Sequence, residues 1–162
     1  MDSTAPEASR GELAGPDVAL LIDLLKLGTF IAAPMREGVA DPLGLTTTDL
    51  RIVLALGGEG ELAGHELSEI MGLAPMNVSR ALSALSRRGI VEPGVDETNR
   101  RRKPVRLSAQ GRAVFDDALA TMGGVARHLF GGLSARDRAV FARAAQSILT
   151  RMMAWPDAPG RP

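Results

Sequence analysis

The run Gly72-Leu73-Ala74-Pro75-Met76-Asn77-Val78-Ser79-Arg80-Ala81-Leu82-Ser83-Ala84-Leu85-Ser86-Arg87-Arg88-Gly89-Ile90-Val91-Glu92-Pro93, followed shortly by Arg100-Arg101-Arg102-Lys103-Pro104-Val105-Arg106-Leu107, decides the fold. A tight turn feeds a helix over 75–88, since a proline in the first turn has no hydrogen bond to lose. Val78, Leu82 and Leu85 recur at i, i+4 and i+7 and form a buried stripe, while Asn77, Ser79, Arg80, Ser83, Ser86 and Arg87 lie off it. Gly89 stops the helix, and strands over 90–92 and 105–107 flank a cationic tip. A slim helix beside a positively charged hairpin suits the DNA major groove together with a neighbouring backbone or minor groove.

Upstream of this run, residues 64–71 read as a short helix with Leu67 and Ile70 inward, closed by Gly72. Short helix, glycine turn and second helix with a polar outer face make a helix-turn-helix, and the hairpin makes it winged. Thr46 with Asp49 three residues on is a capping-box pattern that opens a helix to Leu56, with Leu50, Val53, Leu54 and Leu56 inward. Residues 57–60 read as a turn and 61–63 as a short strand. A helix over 17–35 is apolar on more than one side and is ended by Pro34, Gly38 and Pro42. Downstream, Ser108 begins a helix reaching about residue 130, with Phe115, Leu119, Met122, Val125 and Leu129 inward. Gly123-Gly124 in its middle costs about 1–2 kcal/mol of helix propensity, which implies a bend or a close helix approach. Ser134 with Asp137 caps a last helix whose Val140, Phe141, Ala144, Ala145, Ile148, Leu149 and Met152 make a broad apolar face.

The expected fold class is therefore mainly α: a winged helix-turn-helix with a small β-hairpin and flanking helices. Residues 1–15 and 156–162 are expected to be a disordered N-terminal tail and a C-terminal tail. Between them one domain, 16–155, comprises a DNA-binding part at 45–111 and dimerisation helices at 16–36 and 112–154. The first and last helices carry more apolar surface than one small domain covers, so a second copy of the chain is the expected partner.

Formal net charge is zero over 162 residues, but its distribution is uneven. Residues 1–50 hold 3 basic and 8 acidic side chains (3 − 8 = −5), and residues 51–79 hold 1 and 4 (1 − 4 = −3). Residues 80–112 hold 9 and 3 (9 − 3 = +6), and residues 113–162 hold 6 and 4 (6 − 4 = +2). A cationic patch thus coincides with the helix and hairpin already singled out by shape.

Other chemistries find little support. The absence of cysteine removes disulfides, thiolate catalysis, thiolate metal sites and a thiol redox switch. His65 and Glu69 share a helical face but lack further ligands, and a surface polar pair is the plainer reading. Asp116 and Asp117 are adjacent and do not face each other on a helix. We expect no enzyme, no cofactor and no metal. The N-terminus lacks the basic-then-apolar pattern of a signal peptide. The stretch 18–33, interrupted by Asp23 and Lys26, reads as too short and too charged to span a bilayer, so a soluble cytoplasmic protein without a membrane partner is expected.

The order of elements resembles the MarR family of bacterial transcriptional regulators over about residues 17–153. Leu45-Thr46, the run 66–73 (Glu-Leu-Ser-Glu-Ile-Met-Gly-Leu), Val78-Ser79-Arg80 and Leu85 through Gly89-Ile90-Val91 carry the likeness. So does the run 100–111, which matches the pattern RRxkxvxLTxxG. The chain departs from the family in having Asn99 where an aspartate usually helps hold the wing, Glu92-Pro93 in place of a pair that often includes arginine, and Ala63 where threonine commonly caps the short helix. The resemblance implies a homodimer whose recognition helices enter successive major grooves of a near-palindromic operator, probed at its flanks by the wings. It also implies a crevice for a small aromatic or phenolic ligand that releases the DNA, with repression as the expected outcome.

On this basis the recognition-helix candidates are Pro75, Met76, Asn77, Ser79, Arg80 and Ser83. Arg80 either reads a guanine edge or contacts phosphate; Asn77 either pairs with adenine or serves the helix end; Met76 either meets a thymine methyl or packs under the turn. In the wing, Arg101 is the candidate for minor-groove insertion, and Arg100, Arg102 and Lys103 for phosphate contacts, with Arg87, Arg88 and Arg106 as weaker phosphate candidates. Candidate ligand-crevice residues are Phe30, Arg36, Ile52, Phe115 and Leu119, against the plainer reading of core for the apolar four and surface for Arg36. The competing functions are a winged-helix protein-interaction module without DNA recognition, which would pass through a DNA column, and a module whose main site is the small-molecule crevice.

Overall fold

The computed structural model describes residues 15–95 and 102–155. Its element order is α1 (Pro16–Phe30), α2 (Ala32–Met35), a π-helical turn (Arg36–Ala40), a 3-10 turn (Asp41–Leu43), α3 (Thr47–Glu59), α4 (Gly64–Met71), α5 (Pro75–Arg87), β1 (Val91–Pro93), β2 (Val105–Leu107), α6 (Ala109–Phe130) and α7 (Ala135–Met153). The mainly α, winged helix-turn-helix architecture stands as expected. The chain divides into two compact units between Val125 and Ala126, inside α6.

The first unit is built around a core in which Val39, Leu50, Ile52, Val53, Leu56, Leu67, Val78, Leu85 and Ile90 are at most 1% exposed. Residues of α3, α4, α5, β1 and α6 contribute to it, as do Val39 and Ala40 from the π-turn. Local chemistry sets where each helix starts. The Thr46 hydroxyl accepts the Asp49 N–H at 3.1 Å and Asp49 accepts the Thr46 N–H at 3.1 Å, so the capping box of α3 is complete. The Ser108 hydroxyl accepts the Gly111 N–H at 3.0 Å at the start of α6. Gly111 sits where a Cβ would lie 2.0 Å from the Ile90 carbonyl oxygen, so α6 crosses the α5–β1 turn at a distance only glycine allows. The hairpin is antiparallel, with Val91 opposite Leu107 and Pro93 opposite Val105, and Leu62 adds an isolated bridge to Val105.

Several boundaries differ from the sequence expectation. The α-helical part ends at Met35, as expected, with a break at Ile31; beyond Met35 the backbone goes on in helical turns to Leu43, in π and then 3-10 hydrogen bonding. Proline disrupts an α-helix by removing a donor, and a change of helical register can absorb that loss. Gly38 lies on the π-turn where a Cβ would be 2.7 Å from Val125 Cγ2, so tight packing against α6 accounts for this glycine. The resulting stretch Pro16–Leu43 is 28 residues long and contains an 18-residue window of mean hydropathy 1.8, long and apolar enough to cross a membrane by length and composition, which corrects the expectation that it is too short. Likewise, 57–60 is not a turn: α3 runs on to Glu59, because Gly57 lies under the Phe115 ring, where a Cβ would be 2.2 Å from ring carbons. Ile70 is 47% exposed, and Met71 takes the inward place beside Leu67. β1 begins at Val91 rather than Ile90 and includes Pro93. α6 continues through Gly123-Gly124 without an assigned break.

The flanking helices differ in kind from this core. α1 buries none of its residues, and Leu20, Leu25 and Phe30 are 68%, 63% and 72% exposed. In the second unit, α7 also buries none; Ser134 caps it by accepting the Asp137 N–H at 3.1 Å. Val140, Phe141, Ile148, Leu149 and Met152 are exposed along it. Within this unit Phe130 and Phe141 make a tilted ring pair 5.8 Å apart.

Candidate nucleic-acid interface

Helix α5 separates its two faces cleanly. Val78, Ala81 and Leu85 are buried and Leu82 half-buried, while Pro75, Met76, Asn77, Ser79, Arg80 and Ser83 are all exposed. The sequence-predicted set therefore forms one outward strip along a helix held by the core behind it. Pro75 at the first position spares the helix a lost donor, and the Asn77 N–H bonds back to the Ala74 carbonyl at 2.9 Å. Gly72 at φ 60° and Gly89 at φ 69° end α4 and α5 in the left-handed region that glycine adopts without strain. Arg80 has no ion-pair or hydrogen-bond partner among the described residues, so its guanidinium projects with its donors open. The Ser83 hydroxyl donates to the Ser79 carbonyl at 2.9 Å.

Beside α5 stands the hairpin, and an open groove of about 420 Å³ runs between them, lined by Leu82, Ser83 and Ser86 from the helix and by Glu92 and Val105 from the strands. Arg100, Arg101 and Asn99 lie outside the described residues. Lys103 is exposed, at φ 46°, an uncommon conformation for a residue with a side chain, which turns the returning arm of the wing. Arg102, a candidate phosphate contact, is paired within the chain. Its Nε donates to Glu66 Oε1 at 2.9 Å and its Nη2 to Glu66 Oε2 at 2.8 Å, a two-pronged ion pair that spends the guanidinium on α4. Arg106 is similarly occupied, donating from Nε to Glu92 at 2.9 Å with Nη1 3.5 Å from Glu61. Arg88 donates to the Gly44 carbonyl at 2.9 Å, tying the end of α5 to the loop before α3.

Sequence reading missed Glu61 and Glu66. A signal for Glu66 was present: it stands three residues after Ala63, the spacing of a capping box whose hydroxyl is absent. Its Oε2 accepts the Ala63 N–H at 2.7 Å, half of that box, and the same carboxylate holds Arg102. Those two hydrogen bonds, that from Arg102 being the larger influence, hold the Glu66 carboxyl below the usual carboxylate range against an opposing effect of burial.

The crevice candidates are spread out. Ile52 is sealed in the core at 0% exposure, as the plainer reading had it. Phe115 is half-buried over Gly57 with the Arg112 guanidinium 5.4 Å from its ring centre, and Phe30 and Leu119 are exposed. Arg36 is exposed and hydrogen-bonded to Glu37 at 2.7 Å, an interaction that raises its pKa above the ordinary arginine value. His65 and Glu69 are both exposed on α4.

Comparison with known proteins gives a consistent picture. Residues 43–102 match the model of the MarR family. A search of curated proteins gives no match. The chain is similar to a MarR-family transcriptional regulator from Silicibacter pomeroyi, with 26% identity, coverage of 81% of this chain and 85% of that one, and a TM-score of 0.65. It shares the fold of the PcaV transcriptional regulator of Streptomyces coelicolor, solved with its natural ligand, at 21% identity, coverage of 93% and 98%, and a TM-score of 0.60. It also shares the fold of Bordetella bronchiseptica BpsR, whose DNA binding is regulated by 6-hydroxynicotinic acid, at 20% identity, coverage of 82% and 98%, and a TM-score of 0.66. Over residues 43–102 this chain matches the MarR family of transcriptional regulators, and its winged helix-turn-helix is similar to that of solved regulators of the family.

Proposed function

We propose that the chain is a homodimeric, sequence-specific DNA-binding regulator, acting in the cytoplasm as a repressor on a near-palindromic operator and released by a small aromatic or phenolic ligand. The observation that carries this reading is the outward strip of α5, where an unpartnered Arg80 stands among Met76, Asn77, Ser79 and Ser83 on a helix whose opposite face is buried. A helix of this kind, backed by α4 and flanked by a wing, is suited to lie in a major groove with its N-terminal residues against base edges. Arg80 offers two parallel donors to guanine, worth about 1–3 kcal/mol of discrimination against the wrong base. Arg100, Arg101 and Lys103 bring positive charge to the wing, so affinity comes mainly from phosphate neutralisation and falls steeply with salt.

The second copy is assigned to the exposed apolar surfaces of α1 and α7, since such surfaces on a regulator of this fold call for a partner. That assigns 16–36 and 112–154 to dimerisation and 45–111 to DNA. The ligand reading is supported by fold likeness to one regulator solved with its natural ligand and another whose DNA binding is regulated by 6-hydroxynicotinic acid. Phe30, Arg36, Phe115 and Leu119 are the side chains available to such a ligand, and Ile52 would back them from the core.

Footprinting on the DNA upstream of the protein's own gene, with and without candidate aromatic acids, tests the reading. Arg80→Ala is expected to weaken operator binding more than non-specific binding. Arg101→Ala is expected to weaken binding to every sequence and to lower the salt slope by about one. Wild-type affinity for a mapped operator in both variants would overturn these assignments.

A further inference from the structure

A wing can hold DNA only if it is itself held, and strands of three residues are too short to hold a hairpin in place unaided. We infer that Glu66 and Arg102 are positioning residues: their ion pair fastens the wing to the start of α4, so that helix-turn-helix and wing meet DNA as one rigid body. The inference rests on the DNA-binding reading and deepens it, by moving Arg102 from phosphate contact to strut.

Both arms of the hairpin are tied to the same short segment, residues 61–66. On the returning arm Arg102 takes both Glu66 oxygens and also donates from Nη2 to the Glu61 carbonyl at 3.2 Å. On the outgoing arm the Val95 N–H donates to Glu61 Oε2 at 3.1 Å. Gly94 makes room for that carboxylate, since a Cβ there would lie 2.5 Å from Glu61 Oε2. The arms are tied to each other by the Gly94 N–H, which donates to the Pro104 carbonyl at 2.8 Å. The side chains of Arg102 and Glu66 are 29% and 28% exposed, so the pair is partly shielded from the screening that makes surface pairs weak. The planar guanidinium fork matches both carboxylate oxygens at once, a fit that lysine lacks. In the family pattern RRxkxvxLTxxG, position 102 is among the unspecified ones, so the pattern itself does not call for an arginine there.

The test uses the full chain with Glu66→Gln, Arg102→Ala and the double variant. Gln at position 66 still accepts the Ala63 N–H, so the start of α4 survives; thermal unfolding checks it. The sign of the effect is diagnostic. Removing a carboxylate near bound DNA would ordinarily strengthen binding, whereas loss of a strut weakens it. We expect each single variant to bind a DNA fragment about tenfold more weakly with an unchanged salt slope, and the double variant to be no worse than either. Binding by Glu66→Gln as tight as wild type or tighter, or a salt slope lowered by about one in Arg102→Ala alone, would return Arg102 to the phosphate contacts and overturn the clamp. A wild type that binds no DNA defeats the regulator reading. The clamp is then decided by amide exchange measured by NMR: tenfold faster exchange at Gly94 and Val95 in either variant, with α5 unchanged, supports it, and unaltered exchange refutes it.

Discussion

The winged core and the flanking helices use apolar residues in opposite ways. In the core, Leu50, Ile52, Val53, Leu56, Leu67, Val78, Leu85 and Ile90 meet one another and leave almost nothing exposed. In α1, a run richer in leucine and isoleucine than any core helix buries no residue at all, and α7 buries none either. Hydrophobic content alone therefore does not mark the inside of this chain; spacing does. Core helices confine their apolar residues to one stripe, whereas α1 spreads them around its circumference, which suits an element with more than one apolar neighbour. The core is a finished structure, and in the proposed dimer the flanks are half of an interface.

This contrast can be broken first at its strongest point. Leu85→Ala removes a fully buried side chain and is expected to cost about 2–5 kcal/mol in chemical denaturation. A change below about 1 kcal/mol would mean the core is not packed as described. The complementary substitution is Leu25→Glu on α1, which should leave the core's spectroscopic signature intact while shifting the chain to monomer in sedimentation or light scattering. Its cost to DNA binding should exceed tenfold, because two half-sites would no longer be bound together. Next comes Gly57→Ala. Better helix propensity favours alanine by about 1 kcal/mol, but its methyl would displace the Phe115 ring, and overpacking costs about 1–3 kcal/mol. Net destabilisation is expected, and a stabilised variant would show that the ring moves freely. Thr46→Ala removes half of the capping box of α3 and should cost about 1 kcal/mol.

The smallest effect is a pH dependence of the wing. Arg102 and the Ala63 N–H hold the Glu66 carboxyl below its unfolded value, assisted by the charge of His65 and opposed by burial. A carboxyl lowered in this way stabilises the fold above its unfolded pKa and loses that contribution as pH falls through the lower, folded value. Amide exchange at Gly94 and Val95 should therefore stay slow at neutral pH and quicken only in acid below the usual carboxylate range, and Glu66→Gln should abolish the acid-dependent change.

Much of the winged core was legible from residues alone. Thr46 with Asp49, Pro75 after Gly72, the stripe Val78, Leu82 and Leu85, and Gly89 are all local signals, and local signals fix helices. The strip of exposed α5 residues followed from the same periodicity. What escaped depended on distant partners. The extension of α3 through Gly57 goes with the Phe115 ring, 58 residues away in sequence, and the π-turn that follows α2 packs its Gly38 against Val125. Arg102 looked like its cationic neighbours because charge counting cannot see that Glu66, 36 residues earlier, has claimed it. Ile70 and Met71 exchanged places because a helix of eight residues gives its pattern too few turns to fix the inward direction.

The account's central claim, that the outward strip of α5 and the wing grip one duplex, is tested most directly by titrating the purified protein against labelled DNA from upstream of its own gene across a range of salt. Binding whose logarithm falls linearly with log salt, by about 10³–10⁵ in affinity between 50 and 200 mM for six to ten phosphate contacts, and which Arg80→Ala specifically weakens, is the predicted result. A protein that stays unbound at the lowest salt, or binds equally well without Arg80 to operator and random DNA, would contradict it.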